Sequence, residues 1–123
     1  MFVRYQSPDA NARGVHPGVF ALVNGLAAHG LLTEEQERFR RTTNDWYNAT
    51  FTNPTDVDPL VYDRTRNPGA VAWFRVESVR LTERVEGYLE ILGDHRVPCE
   101  CIEADAPGRV IYEDADQVVV VPF

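Results

Sequence analysis

The feature that most constrains the fold is a run of four valines at positions 118–121, near the end of the chain. A strand with one face in water alternates apolar and polar residues, because successive side chains point to opposite faces. The valine run does not alternate, so we expect a central strand with both faces covered. The acidic stretch at 113–116 just before it is typical of a short, solvated hairpin connection.

Three further segments have strand patterns, and three helical patterns separate the first of them from the other two. The strand segments are Phe2–Gln6, 99–104 and 109–114, and Pro107-Gly108 between the last two predicts a type II turn. A first helix is predicted from Pro17 to Gly30. A second helix follows.

The second helix has a clear start signal and a narrow stripe that is partly polar, because Thr43 and Thr50 belong to it. Thr33 and Gln36 have the spacing of a capping box. Phe39 and Trp46 then recur at helical spacing.

A third helix is predicted from Asn67 as its cap, with Pro68 at the first position and Gly93 at the end. One face of it carries mostly apolar residues at steps of three or four, with Ser78 as the polar exception: Phe74, Ser78, Leu81, Val85, Tyr88 and Leu92. Asn53-Pro54 and Asp58-Pro59 repeat the pattern of a cap followed by proline.

Together these elements predict a single domain over residues 1–123, because the length suffices for one core. The predicted fold class is α+β, with three main helices packed on one face of a four-stranded, mostly antiparallel sheet, in the order β-α-α-α-β-β-β. Across the sheet we expect the strand order 99–104, 109–114, 117–123, 2–6. The uncovered face then needs a loop or a second subunit, and we predict a homodimer.

The composition excludes several kinds of enzyme. All twelve basic residues are arginine, which indicates a GC-rich and bacterial genome. Without lysine, the chain cannot form a P-loop, a pyridoxal-phosphate site or a Schiff base. Neither serine lies in a Gly-x-Ser-x-Gly setting. No cofactor is predicted.

The net charge of −7 is concentrated in the second half of the chain. Residues 67–123 hold eleven carboxylates and five arginines, which disfavours nucleic acid and anionic membranes as partners. The N-terminus has no signal-peptide pattern, and the chain has only two cysteines. We therefore expect a cytoplasmic protein.

Cys99, Cys101 and His95 form a grouping that suggests a metal site. On a strand, Cys99 and Cys101 point to the same face, but a structural zinc requires four ligands and no second pair lies nearby. We predict that both cysteines are reduced and buried and that they bind no metal.

The segment 52–68 is the best candidate for a functional loop, because it is long for a connection in a small domain. Tyr62 and Asp63 are candidates for proton transfer. Arg64 and Arg66 are candidates for holding a carboxylate or phosphate at the start of the third helix. The alternative is that both arginines form ordinary surface ion pairs.

Trp46, Tyr47 and Trp73 are candidates for the aromatic walls of the same site, although core packing competes for each. If this loop is not the site, the acidic hairpin at 113–116 is the next candidate.

Two functional hypotheses fit the sequence. The first is a small acidic module without catalysis that engages a protein partner or a small ligand. The alternative is a lysine-independent transferase, hydrolase or isomerase that acts on an anionic small molecule held by the loop arginines.

Overall fold

The computed structural model describes residues 1–123 and has the predicted α+β class, with helices packed against an antiparallel sheet. The sheet has five strands, one more than predicted. The elements in chain order are β1 (Phe2–Gln6), α1 (Val19–Ala28), α2 (Glu34–Thr50), α3 (Pro54–Val57), β2 (Val71–Arg75), α4 (Val79–Thr82), α5 (Val85–Asp94), β3 (Glu100–Ala104), β4 (Arg109–Glu113) and β5 (Gln117–Val121).

The strands lie in the order β3-β1-β2-β5-β4, and every neighbouring pair is antiparallel. The valine strand β5 is therefore central, as predicted, because it pairs with β2 on one side and β4 on the other. The predicted strand order is wrong in two respects. Strand β2 separates β5 from β1, and β3 pairs with β1 at the opposite edge from β4.

The extra strand replaces the start of the predicted third helix. Residues Val71–Arg75 form β2, and the helical segments α4 and α5 begin only at Val79. Asn67 is not a helix cap. Its buried side chain donates hydrogen bonds to the carbonyl oxygens of Leu60 and Val61 at 3.2 and 3.1 Å. Gly69 has φ +75°, which ends any helical conformation before β2.

The sheet is rolled rather than flat. Strands β3 and β4 lie at opposite edges, which in a flat sheet are about 19 Å apart. The four-residue link 105–108 spans at most about 18 Å, even before the offset along the strands is counted. Rolling brings Ile102 and Ala104 of β3 against a cluster formed by Trp73, Val118 and Val120.

This rolled face covers the valine strand within a single chain. Val118, Val119 and Val120 are all fully buried. Val118 and Val120 lie in the cluster with Trp73, whereas Val119 points to the other face by strand alternation. The open apolar face that motivated the homodimer prediction is therefore not present at these residues.

Gly108 ends the link between β3 and β4, but not in the predicted type II turn. Its φ is not positive, as that turn would require. Instead, a Cβ atom at Gly108 would lie 2.5 Å from the carbonyl oxygen of Val121, so glycine is needed for close approach to β5.

The helices cover the other face of the sheet. Their core consists of residues from α1 and α5 packed with aromatic rings of α2; its fully or nearly fully buried members are Val19, Val23, Val85, Tyr88, Ile91 and Leu92. Local signals placed α1 and α2 correctly. Gly30 follows α1 with φ +67°, and Thr33 and Gln36 form the predicted capping box of α2. None of the helices combines the length and the apolar character needed to cross a membrane.

Candidate functional site

A cleft of about 290 Å³ lies where α1 and the C-terminal half of α2 meet the helix-covered face of β2 and β5. No charged side chain lines it. Five of its lining residues are amides, namely Asn24, Asn44, Asn48, Asn53 and Gln117, and four are aromatic, namely Phe20, Tyr47, Phe51 and Phe74. We call this cavity the amide cleft.

Helix α2 supplies much of the amide cleft because of its residue spacing. Asn44 and Asn48 are one helical turn apart and therefore share a face. Tyr47 and Phe51 are also four residues apart, and their ring centroids lie 5.9 Å from each other. Phe51 is the C-cap in an extended conformation, so the chain turns there and Asn53 closes the end of the cleft.

Two of the amides hold α1 and α2 together. The Asn24 Oδ1 atom accepts hydrogen bonds from Asn44 Nδ2 at 3.2 Å and from an Arg40 guanidinium nitrogen at 3.1 Å. Asn44 Oδ1 accepts the hydroxyl of Tyr88, which reaches up from the helix core. These bonds fix the orientation of both amides before any ligand arrives.

Gln117 is the polar residue at the start of the valine strand, and its side chain is almost completely buried. Its Nε2 atom donates to the carbonyl oxygen of Thr52 at 2.7 Å and to Asp114 Oδ2 at 3.3 Å. The side chain therefore ties the end of α2 to the β4–β5 hairpin and leaves its Oε1 atom as an acceptor.

The remaining hydrogen-bonding capacity of the cleft includes both donors and acceptors. Asn48 makes no side-chain hydrogen bond within the chain, so its whole amide is available, and Asn24 Nδ2 is likewise unused. A ligand with both donor and acceptor groups matches this lining.

Tyr47 is the one titratable side chain that lines the amide cleft. Its hydroxyl donates to the carbonyl oxygen of Leu81, and burial raises its pKa above the ordinary tyrosine value. Tyr47 is therefore neutral and already engaged at physiological pH. The cleft provides no carboxylate or imidazole for general acid–base catalysis.

The three predicted aromatic residues do not lie together. Tyr47 lines the amide cleft. Trp46 lies under the guanidinium of Arg84, which is 3.8 Å from its ring centroid. Trp73 lies on the rolled face of the sheet, in the cluster with Val118.

The four predicted loop residues are also divided. The Asp63 Oδ1 atom accepts the backbone N–H groups of Thr65 and Arg66 at 3.0 and 2.8 Å, so the carboxylate caps its own turn. Tyr62 and Arg64 line a separate cavity of about 440 Å³, but Arg66 does not.

The helix N-terminus predicted beside this loop is absent, because Asn67-Pro68-Gly69 leads into β2. The alternative prediction for Arg64 and Arg66 was that they form surface ion pairs. Neither does so: the ion pairs of the structure involve the N-terminus, Arg40, Arg41 and Arg75.

The cysteine prediction was wrong about burial. Both thiols are free, but Cys99 is half-buried and Cys101 is exposed on the edge strand β3. Burial and neighbouring charges nevertheless raise the pKa of each thiol, which disfavours the nucleophilic thiolate. His95 lies within 2.9 Å of Gln36 Oε1, and no three His, Cys, Asp or Glu side chains converge as metal ligands.

The sequence prediction missed most of the amide cleft. Asn44 and Asn48 did share a helix face, and Gln117 was the one polar residue in the valine strand. These features of the sequence could have indicated a polar site. The contribution of Asn24 was not, because it depends on how α1 packs against α2.

No family model, curated protein or solved structure matches the chain. The chemistry of its cavities is therefore the basis for assigning a function.

Proposed function

We propose that the protein is a binding module without catalysis, and that the amide cleft holds an uncharged, polar small molecule. The observation that supports this most directly is the lining itself, which combines five amides with four aromatic rings and no charged side chain. Its volume of about 290 Å³ is close to the lower limit of common ligand pockets.

The absence of charge in the lining favours an uncharged ligand. A charged group that enters a partly buried site without a counter-charge loses hydration that amides replace only in part. Side-chain amides offer donors and acceptors together, which suits the hydroxyl, amide or ring-nitrogen groups of sugars and nucleosides.

The aromatic residues favour a ligand with an apolar face. Phe20, Phe51 and Phe74 line the cleft beside the amides, and Phe20 is already fixed by edge contacts with Tyr47 and Tyr88 at 5.0 Å. A preformed wall of this kind binds a flat or partly apolar molecule with little loss of side-chain entropy.

The enzyme alternative has less support from the geometry. Its candidates for proton transfer were Tyr62 and Asp63. The Asp63 carboxylate caps its own turn, and burial raises the pKa of Tyr62. Neither residue lies in the amide cleft.

A thermal-shift screen with nucleosides and small sugars at millimolar concentration tests this proposal. A compound that binds the native state should raise the Tm in a concentration-dependent manner. Asn48→Ala removes an available amide without breaking a bond within the chain, and it should weaken binding about tenfold. Asp45→Ala, on an exposed position of the same helix, is the matched control and should bind as wild type.

Two results would contradict the proposal. One is that no uncharged polar compound in the screen stabilises the protein. The other is that a stabilising compound binds equally well to wild type and to Asn48→Ala, which would place its site elsewhere.

A further inference from the structure

We propose that the protein has a second binding site, for a phosphate group of a small molecule, in the cavity formed by Arg13, Tyr62, Arg64 and Gly69. We call it the arginine cavity. It is distinct from the amide cleft and shares no lining residue with it.

The arginine cavity carries positive charge without compensation. Its lining includes Arg13 and Arg64 and no carboxylate. A cavity beside α2 shows the contrast, because Arg38 and Arg41 line it together with Glu34 and Glu37. In a chain of net charge −7, a cavity lined by two arginines and no acid is a local exception.

The two guanidinium groups are free to bind a ligand. Neither Arg13 nor Arg64 takes part in an ion pair, whereas Arg40 and Arg41 are paired with Glu37. Arginine binds phosphate oxygens through parallel N–H donors, and two arginines on one cavity provide enough donors for a dianion.

A third arginine adds positive potential behind the cavity. Arg4 is 9% exposed, and it donates to the carbonyl oxygens of His16 and Ala72 and to Gln6 Oε1, each at 2.8 Å. All three acceptors are uncharged, so no carboxylate neutralises this guanidinium. The guanidinium of Arg4 is bonded to the carbonyl oxygen of His16, and the preceding residue, Val15, lines the cavity. The positive charge of Arg4 therefore lies close to the arginine cavity.

Neutral donors complete the arrangement. Tyr62 lines the arginine cavity with 42% of its surface exposed, and its phenol is protonated at neutral pH, as in any ordinary tyrosine. Partial desolvation raises its pKa further, although the charge of Arg4 acts in the opposite direction. Gly69 has φ +75°, and its backbone N–H has no acceptor within the chain. This N–H can donate one hydrogen bond to a ligand.

The size of the cavity indicates more than a bare ion. A volume of about 440 Å³ exceeds what one phosphate group fills, so a phosphorylated small molecule suits it better than inorganic phosphate alone. Inorganic phosphate is nevertheless the simplest probe, since it carries the group that the arginines recognise.

The test is a titration of the isotope-labelled 123-residue chain with inorganic phosphate at constant ionic strength, with amide chemical shifts as the readout. We expect saturable shifts confined to residues 13–15 and 62–70. The double variant Arg13→Ala/Arg64→Ala should weaken phosphate binding at least tenfold. Arg66→Ala is the matched control: it removes an arginine of the same loop that does not line the cavity, and it should bind within about twofold of wild type.

Several outcomes would overturn the proposal. They are shifts that do not saturate, equal shifts with chloride, and an Arg66→Ala effect as large as that of the double variant. Arg13 and Arg64 are exposed, so the double variant is expected to fold, and its unchanged amide spectrum outside the cavity verifies this. Because the two sites share no residue, failure here leaves the amide cleft untouched.

Discussion

At the scale of the single residue, Arg96 is the clearest departure from local preference. It is the one non-glycine residue with positive φ, at 56°, and it follows α5 in a turn where Val97 N–H bonds to the carbonyl oxygen of Leu92 at 2.9 Å. Glycine normally occupies this position, because a side chain in the left-handed conformation costs about 1 kcal/mol or more. Arg96→Gly should therefore raise the free energy of unfolding by about 0.5–1 kcal/mol in urea titrations.

Arg96→Ala is the control for this prediction. This variant loses the same guanidinium charge and the same long side chain beyond Cβ, but it retains the Cβ atom, so it should not stabilise the protein. If both variants change stability equally, the effect comes from the lost side chain and not from the backbone conformation.

Asp114 accepts several hydrogen bonds in the β4–β5 hairpin, and its carboxylate should make the stability of the protein sensitive to acid. Burial alone would raise the pKa of its carboxyl group, but hydrogen bonds from the Tyr112 hydroxyl at 2.7 Å and from the N–H groups of Asp116 and Gln117 outweigh it and hold the pKa below the usual value. The contribution of a depressed carboxyl pKa is fully present above the unfolded value of about 3.9, and it is lost as pH falls through the folded pKa.

Asp114→Asn should consequently be less stable than wild type at pH 7, by about 1–2 kcal/mol, because a neutral amide accepts these bonds less strongly. The difference should shrink at pH 3. Urea titrations at both pH values measure it, with Asp45→Asn as an exposed control that changes little. A difference that is independent of pH would show that the charge of Asp114 contributes nothing.

At the scale of the element, the two glycines of α5 should respond oppositely to alanine. A Cβ atom at Gly87 would lie 2.2 Å from the Phe39 ring, which packs edge-on against Tyr88, so Gly87→Ala forces α2 and α5 apart and should cost about 1–3 kcal/mol. Gly93 has open space, so Gly93→Ala should stabilise by about 0.5–1 kcal/mol through helix propensity. Equal stabilisation by both, in thermal or urea unfolding, would mean that the Phe39 ring moves aside freely.

Secondary-structure elements were predicted correctly from the sequence where the signal for them, such as a helix cap, spans only a few residues. The capping box at Thr33 and the glycine after α1 act over a few residues, and both were predicted correctly. Asn53 likewise caps α3 by accepting the N–H of Thr55 at 3.0 Å. Such signals depend on local hydrogen bonds to backbone N–H groups, which form independently of the tertiary structure.

The third helix shows where periodicity misleads. Phe74 fell on the same helical stripe as Leu81, Tyr88 and Leu92, yet it lies in β2 and packs near Phe20. The segment Val71–Arg75 has four apolar residues out of five. Such a short, mainly apolar segment fits a strand as well as a helix, and its β-prone residues favoured the strand. Strand pairing of β2 with β1 and β5 determines that this segment is a strand. These partners are distant in the sequence, so the pairing could not be inferred from local patterns.

At the scale of the whole molecule, the strand order was not predictable because it depends on the rolled sheet. The short 105–108 link suggested neighbouring strands, whereas it joins opposite edges. The same limit applies to the candidate sites. Tyr62 and Arg64 were found through loop length and composition, but Arg13 comes from another loop, which only the folded chain brings to the same cavity.

The rolled sheet also places two cores on opposite faces of the same strands. Trp73 and Val118 belong to one core, while Phe74 and the fully buried Val119 point to the other by strand alternation. Strand β5 contributes side chains to both cores, so its detachment from one core would also remove its side chains from the other. The two cores should therefore unfold in a single cooperative transition.

Two tryptophans allow this to be measured. Trp46→Phe leaves Trp73 as a fluorescent reporter of the rolled face, and its urea transition should coincide with that of far-ultraviolet circular dichroism. In that background Leu92→Ala, a fully buried change in the helix-side core, should cost about 2–5 kcal/mol and shift both transitions equally. A Trp73 transition that stays in place while the circular dichroism midpoint moves would show that the two cores unfold independently, although they share β5.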